Sequence, residues 1–316
     1  MKTRIISPSQ IQIAADILRA GGLVAFPTET VYGLGANALD SDAVSQIFVA
    51  KGRPQDNPLI VHVATLEQLY SIVQEVPPLA EKLIKKFWPG PLTIVLKKAN
   101  VIPSIVTAGL DSVAVRMPSN KIALELIKGA GVPIAAPSAN VSGKPSPTTA
   151  RHVVEDLFGR VDVIIDGGDC EVGVESTVVS LIDKPELLRP GKITLEELRS
   201  TIGDVIYNQN PKVIRSPGMK HKHYAPNAKV IISNDVAKLS DEYFHNGKKV
   251  GVIATKAVPN VEMRIVKNVT ELAKHLFQYF REFDSLGTDV IIVEPVEKEG
   301  LGLAVMNRLE KAVLGT

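Results

Sequence analysis

The sequence predicts an α/β (α+β) chain made of two unlike units: a first unit with a mixed sheet, and a small second unit with a Rossmann-like parallel sheet. Three observations carry this. Short apolar runs, interrupted by isolated helical stretches, fill residues 1–206. A basic stretch with several prolines breaks that pattern over 207–228. From 229 to 316 strands and helices alternate regularly, the rhythm of a parallel sheet. At 316 residues the chain is long enough for two cores.

In the first unit, Ser9 N-caps a helix over 9–20, which Gly21-Gly22 ends. Residues 23–26 read as a buried strand. Ser41 caps a helix that reaches Lys51, and 59–63 is a strand. A helix over 79–87 stops at Trp88-Pro89-Gly90-Pro91, because proline cannot continue it. Strands follow at 92–96 and 113–117, a helix at 120–128 and a strand at 133–136. A helix over 150–158 precedes a strand at 163–166. The strand 177–181 and a helix from Thr194 to Thr201 close the unit. Pro211, Pro217, Gly218 and Pro226 mark 207–228 as a linker. The second unit reads as strand 229–233, helix 236–245, strands 250–254 and 263–266, helix 271–283, strand 290–294 and helix 303–313.

Hydrophobic residues make up 45% and charged residues 22%, the balance of a globular protein. The net charge of +2 argues against a general nucleic-acid coat protein and against an acidic disordered chain. No apolar run approaches the roughly 18 residues of a membrane helix. The segment 1–9 lacks a signal peptide's apolar core. Cys170 is the only cysteine, so an intrachain disulfide and a Cys-rich zinc cluster are both excluded. The simplest compartment is the cytoplasm. Within the total charge there is a split: five basic residues, two histidines and no acid lie between Lys212 and Lys229.

No GxxxxGK[ST] loop, GxGxxG, HExxH or GxSxG occurs, so any use of ATP is without a P-loop. What remains is a set of polar clusters at strand ends. Residues 27–34 (PTETVYGL) read equally as a pocket lining or as a turn with capping threonines. Lys51 and Arg53 flank Gly52, beside Asn57 and His62; the two cations can converge on a phosphate or simply face a helix C-terminus. Arg116 sits in an apolar strand that Ser112 begins. A guanidinium there needs an anion, either an internal carboxylate or a ligand's. Ser138, Asn140 and Ser146 lie on a polar loop that suits phosphate oxygens or serves as a plain turn. Ser176 enters a strand, and Arg189 stands at a tight turn (LRPG, 188–191). Asp166 and Asp169 flank Gly167-Gly168, a weak metal candidate. No nucleophile–base pair is present, which suits a pocket that positions and neutralises anions.

Together these clusters resemble the YrdC-type L-threonylcarbamoyladenylate synthases. The match rests on PTETVYGL (27–34), KGRPQDNPLIVHV (51–63), the Lys51/Arg53 and Ser138/Asn140 pairs, ESTVV (175–179) and LRPG (188–191). SPGMKHKHYAPNA (216–228) followed by a small α/β unit resembles the long two-domain form. The resemblance implies a twisted mixed sheet with a large concave cavity over 1–206, a lid-like linker over 207–228 and a Rossmann-like domain over 229–316. It implies condensation of L-threonine, bicarbonate and ATP into the adenylate, followed by hand-over to a tRNA threonylcarbamoyl transferase complex. By the same resemblance Lys51, Arg53, Ser138 and Asn140 form the catalytic set. Thr30, Tyr32, His62, Arg116, Ala136 and Ser176 hold threonine. Lys51, Arg53, Asn57, Ser112, Ser138, Asn140, Ser146, Arg189 and Tyr224 hold ATP, with Mg²⁺ carried on the nucleotide's phosphates rather than by protein ligands. Weak tRNA contact belongs to this expectation; membrane contact does not. Two rival readings stand beside it: a tRNA or double-stranded RNA binding module, and a carbamoyl-transfer enzyme of hydrogenase maturation.

Overall fold

A computed structural model describes residues 2–208 and 223–316. The first unit contains β1 (Arg4–Ile6), α1 (Ile11–Arg19), β2 (Val24–Phe26), β3 (Gly33–Asn37), α2 (Ser41–Lys51), β4 (Ile60–His62), α3 (Leu66–Ile72), α4 (Pro78–Phe87) and β5 (Leu92–Lys97). It continues with α5 (Ser104–Thr107), β6 (Ser112–Arg116), α6 (Lys121–Ala130), β7 (Ile134–Ala135), α7 (Ala150–Leu157), β8 (Val163–Ile165), β9 (Thr177–Ser180), β10 (Glu186–Arg189), α8 (Leu195–Ile202) and β11 (Ile206–Tyr207). Its strands join in one mixed sheet of order β1-β8-β2-β3-β7-β4-β6-β5-β9-β10-β11.

Helix α1 does not start from the Ser9 cap the sequence suggests: Pro8–Gln10 form a short 3₁₀ turn, and Gln10 precedes the helix with no side-chain cap. Other helix starts follow the expected local chemistry. Asp40 caps α2 by accepting from Asp42 and Ala43, one residue before the Ser41 cap that the sequence suggests. Thr149 and Thr194 cap α7 and α8, the latter with a capping box to Glu197. Strand β2 shows why the strand signals are continuous apolar runs. Val24 and Phe26 pack with α1 and α6, while Ala25 packs into the core on the other face.

Several elements are invisible in the pattern. The segment 27–34 is not one loop, because β3 begins at Gly33. Its sequence GLGAN is depleted in strand formers. Glycine is needed there: a Cβ on Gly35 would lie 2.8 Å from the Phe26 ring and 2.7 Å from Ile134. The 188–191 turn is likewise preceded by strand, since Arg189 is the last residue of β10. Strand β11 carries the first sheet to Tyr207, one residue into the stretch read as linker. Most of that stretch lies outside the described residues.

The second unit consists of β12 (Lys229–Ile232), α9 (Val236–His245), β13 (Val250–Ala254), β14 (Glu262–Ile265), α10 (Val269–Ser285), β15 (Val290–Val293) and α11 (Gly300–Gly315). Its sheet has order β12-β15-β13-β14 and every pairing is parallel. Val31 and Val174 of the first unit join the apolar core beneath α10 and α11. Two buried ion pairs also cross between the units: Arg281 to Asp156 at 2.7 Å and Arg308 to Glu175 at 2.8 Å. No helix among the described residues is long and apolar enough to cross a membrane.

Candidate active site

Strand pairing brings the polar clusters together. In the parallel β4/β6 register His62 stands opposite Arg116, and in the antiparallel β5/β6 register Thr93 also stands opposite Arg116. The loops after β2 and β7, the turn after α2, the lead into β9 and the end of β10 close around this spot. They surround a cavity lined by Thr30, Tyr32, Arg53, His62, Arg116, Ala136, Ser138, Ser176, Arg189 and Tyr224, together with Thr28 and Glu175.

On one side, Thr28 Oγ1 caps its own turn, accepting from Thr30 N (3.1 Å) and Val31 N (3.2 Å). That turn aims Thr30 Oγ1 at Arg116 Nη1, 2.9 Å away. Arg116 also donates from Nε to the Gly90 carbonyl at 3.3 Å. Its Nη2 forms an ion pair with Glu29 at 2.7 Å, so an internal carboxylate answers this buried cation. His62 Nδ1 makes no hydrogen bond among the described residues. Buried donors and acceptors left this way each cost about 1–3 kcal/mol, so the site is built for a polar ligand.

Tyr32 and Ala136 line the wall with part of their polarity already committed. The Tyr32 hydroxyl donates to Gly168 O (2.7 Å) and accepts from Gly167 N (3.2 Å), and the Ala136 N–H goes to Ile60 O (2.9 Å). Ser176 Oγ shares a hydrogen bond with Thr93 Oγ1 (2.8 Å). Arg189 donates to Ser176 O (3.0 Å) and Oγ (3.1 Å).

On the other side the two cations of the 51–53 cluster part company. Lys51 is turned away from the cavity and donates to the Ser138 and Asn140 carbonyls, which fixes the 138–140 loop. Arg53 faces the cavity and holds the Asn57 and Pro58 carbonyls at 3.3 Å from Nη2, while its Nε and Asn57 Oδ1 stay unpartnered among the described residues. Ser138 Oγ donates to Asn140 Oδ1 (2.5 Å), and Asn140 Nδ2 ties the loop to Val141 O (2.8 Å) and Lys144 O (2.9 Å). Ser146 Oγ donates to Glu175 at 2.5 Å. Ser112 is not brought here. It begins β6, four residues from Arg116 and roughly 13 Å along the strand, and it borders a separate surface groove with Lys97 and Lys98. Asp166 and Asp169 form no metal-binding cluster with other His, Cys, Asp or Glu groups among the described residues.

The charges are unbalanced toward positive. Among the described residues, Arg53, Arg116, Arg189 and Arg308 stand against Glu29 and Glu175, with Asp56 also acting on Arg53. Burial works to raise the pKa of both carboxyls, but Arg116 and Arg308 respectively outweigh it, so both stay below the ordinary value and ionised. Burial, then repulsion from Arg53, pushes the Lys51 amine well below its ordinary value. Burial also brings Arg53 down to about 10, still protonated at neutral pH. His62 is pushed down to about 3, first by burial and then by Arg116, so it is a neutral imidazole. The sequence reading missed Glu29, Glu175 and Arg308. The first two stand inside the motifs, and Arg308 is a lone cation at a buried helical position near Val305, Leu309 and Ala312.

The His62 shift has a consequence for stability. Its folded value lies below the unfolded value of about 6.5. Neutral burial is therefore fully favourable above pH 6.5, and that contribution is lost as pH falls toward 3, at up to ~1.4 kcal/mol per pH unit. Urea midpoints measured at pH 7, 6, 5 and 4 should fall more steeply for wild type than for His62→Gln. Parallel profiles would show that His62 is not held neutral.

The family described as Telomere recombination matches residues 16–191, and that described as Threonylcarbamoyl-AMP synthase, C-terminal domain, matches 193–313. The threonylcarbamoyl-AMP synthase of Pyrococcus abyssi is 52% identical, the match covering 96% of this chain and 94% of the relative. That of Bacillus subtilis is 49% identical, covering 97% and 93%. The crystal structure of Pyrococcus abyssi Sua5 complexed with L-threonine superposes with a TM-score of 0.95 at 50% identity, over all of this chain and 98% of that one. Motifs, mixed sheet, cavity and second domain all agree with these matches, and the chain belongs to the two-domain threonylcarbamoyl-AMP synthase family.

Proposed function

We propose that this chain condenses L-threonine, bicarbonate and ATP to L-threonylcarbamoyladenylate and pyrophosphate, the first step of threonylcarbamoyladenosine formation beside the anticodon of ANN-decoding tRNAs. One observation carries the reading: a cavity in which Arg53, Arg116 and Arg189 converge beside a neutral histidine, with Arg53 Nε unpartnered among the described residues. Such a set suits one carboxylate and one polyphosphate at once.

Threonine's carboxylate would rest on Arg116, with Thr30, His62 and Ser176 around its remaining groups. Its amine takes up CO₂ from bicarbonate to give a carbamate. A carbamate oxygen attacks the α-phosphorus of ATP and pyrophosphate leaves. Arg53 and Arg189, with Ser138 and the 138–146 loop, would hold the phosphates and neutralise the charge that develops on them. Lys51, Asn57, Asn140 and Ser146 act on this view through the backbone and side chains they hold. The water and the proton released when threonine's ammonium group condenses with bicarbonate leave to solvent. The carbamate is then anionic, so its attack on phosphorus requires no general base, and positioning supplies most of the rate.

Glu175, the carboxylate that lines the cavity, and Glu29, which pairs with Arg116 beside it, are both engaged by arginines. The protein side therefore does not fit a resident Mg²⁺, and any such ion arrives with the nucleotide as part of the substrate. Tyr224 supports a lid role for 207–228, because it lines the cavity in a left-handed conformation (φ +64°). On this reading 1–206 is the catalytic domain, 229–316 its support, the compartment is the cytoplasm, and the product passes to a transferase complex. A groove for RNA is disfavoured, since the guanidiniums are buried where a polynucleotide backbone cannot reach.

ATP–pyrophosphate exchange tests the reaction. Exchange should require both threonine and bicarbonate. Exchange independent of threonine would overturn this assignment.

A further inference from the structure

We propose that Arg308, on α11 of the second unit, is a positioning residue for the nucleotide half of the active site in the first unit. This role rests on the adenylate-forming reading above. Arg308 is fully buried, 133 residues from the carboxylate it grips, and does not itself line the cavity. Its Nε donates to Glu175 Oε2 (2.8 Å), its Nη1 to the Pro190 carbonyl (2.8 Å), and its Nη2 approaches the Glu175 carbonyl (3.4 Å). One guanidinium thereby joins two chain segments, 175–177 and 189–191.

Those segments touch backbone to backbone. A Cβ on Gly191 would fall 2.3 Å from Thr177 N and 2.7 Å from Glu175 O. They also carry the groups that face the cavity, Ser176 and Arg189. The other Glu175 oxygen accepts from Ser146, so the same fork orders a second candidate nucleotide group beside Arg189. The guanidinium also lies 5.5 Å over the Tyr224 ring, which stacks on Phe277 of α10.

A fork of this kind places its partners more sharply than a point charge does. It also sets the local sign. Without Arg308, Glu175 would keep the charge attraction of Arg189 and Lys311 but have no cationic hydrogen-bond partner given by the described residues, and it faces the space assigned to the phosphates. Arg116, His62 and Thr30 are held by separate contacts, so of the threonine set only Ser176 lies on a segment the fork anchors, and most of threonine recognition should be spared.

The test uses the full chain and threonine- and bicarbonate-dependent ATP–pyrophosphate exchange. Arg308→Met should raise the KM for ATP by about 10- to 100-fold while the KM for threonine stays within about twofold. Arg308→Lys should fall between. Adding Glu175→Gln to Arg308→Met removes the stranded charge and should recover at least about threefold of the lost ATP affinity. A folded Arg308→Met enzyme with a wild-type KM for ATP overturns the role. Equal losses toward ATP and threonine, unrelieved by Glu175→Gln, overturn it in favour of general destabilisation. If Arg308→Met does not fold, Arg308→Lys carries the comparison, and its unchanged KM for ATP is equally decisive. A wild-type chain that shows no threonine-dependent exchange defeats the adenylate reading itself, and this role with it.

Discussion

Arg53→Ala lowers threonine-dependent ATP–pyrophosphate exchange by ~10²- to 10³-fold, the loss usual for one preorganised donor aimed at developing charge. The side chain is nine-tenths buried, faces the cavity and keeps an unpartnered Nε. Among the described residues its hydrogen bonds are two long contacts, 3.3 Å each, to the Asn57 and Pro58 carbonyls. Removing it therefore takes away a ligand contact far more than a packing one, and the melting temperature should move by only a few degrees. Arg53→Lys should restore little, since an ammonium cannot make the planar fork. Near-normal exchange by the alanine variant would remove Arg53 from the phosphate-binding set.

Arg116→Ala has a second kind of effect, because two anions compete for this guanidinium. One is Glu29, 2.7 Å away and buried to the same degree. The other, on the proposed mechanism, is threonine's carboxylate. Alanine strands Glu29 without its cation, a change worth about 3–5 kcal/mol of stability for a buried pair. Threonine affinity by calorimetry should fall at least ~100-fold, the value of a charged bidentate contact of about 3 kcal/mol. Glu29→Gln in the same chain separates the two: it should return much of the stability and none of the threonine affinity. Threonine binding that survives in a folded Arg116→Ala/Glu29→Gln variant would show that the carboxylate sits elsewhere.

Much of the fold was legible because burial leaves a mark in local pattern. Strands covered on both faces, such as β2 and β13, read as continuous apolar runs. Amphipathic helices with capping side chains, such as α8, announce their own ends. Strand β3 was lost because its glycines exist to let Phe26 and Ile134 pack, a reason that lies in residues distant along the chain. Helix α3, with a Thr65 cap, went unread because only seven residues carry it.

The candidate site divides the same way. The motifs locate the right neighbourhoods at strand ends, but they do not say where each side chain points. Lys51 and Arg53 look equivalent in sequence, yet α2 ends at Lys51 with its side chain buried against the 138–140 loop, and the left-handed Gly52 turns Arg53 the other way. Ser112 and Arg116 share one strand, and the length of that strand separates them.

By itself, then, the sequence determined the two-unit α/β plan, most of the helices and strands, and the family motifs that point to anion handling. Only the tertiary structure decided which cations face the cavity and which carboxylates answer them. Arg116 chose Glu29 over 87 positions of chain, and Arg308 chose Glu175 across the two units. Periodicity records whether a residue is buried, since that follows from the residue's own helix or strand. A buried charge must also find a partner to offset its lost hydration, and that partner is supplied by whichever segment the completed packing brings within about 3 Å.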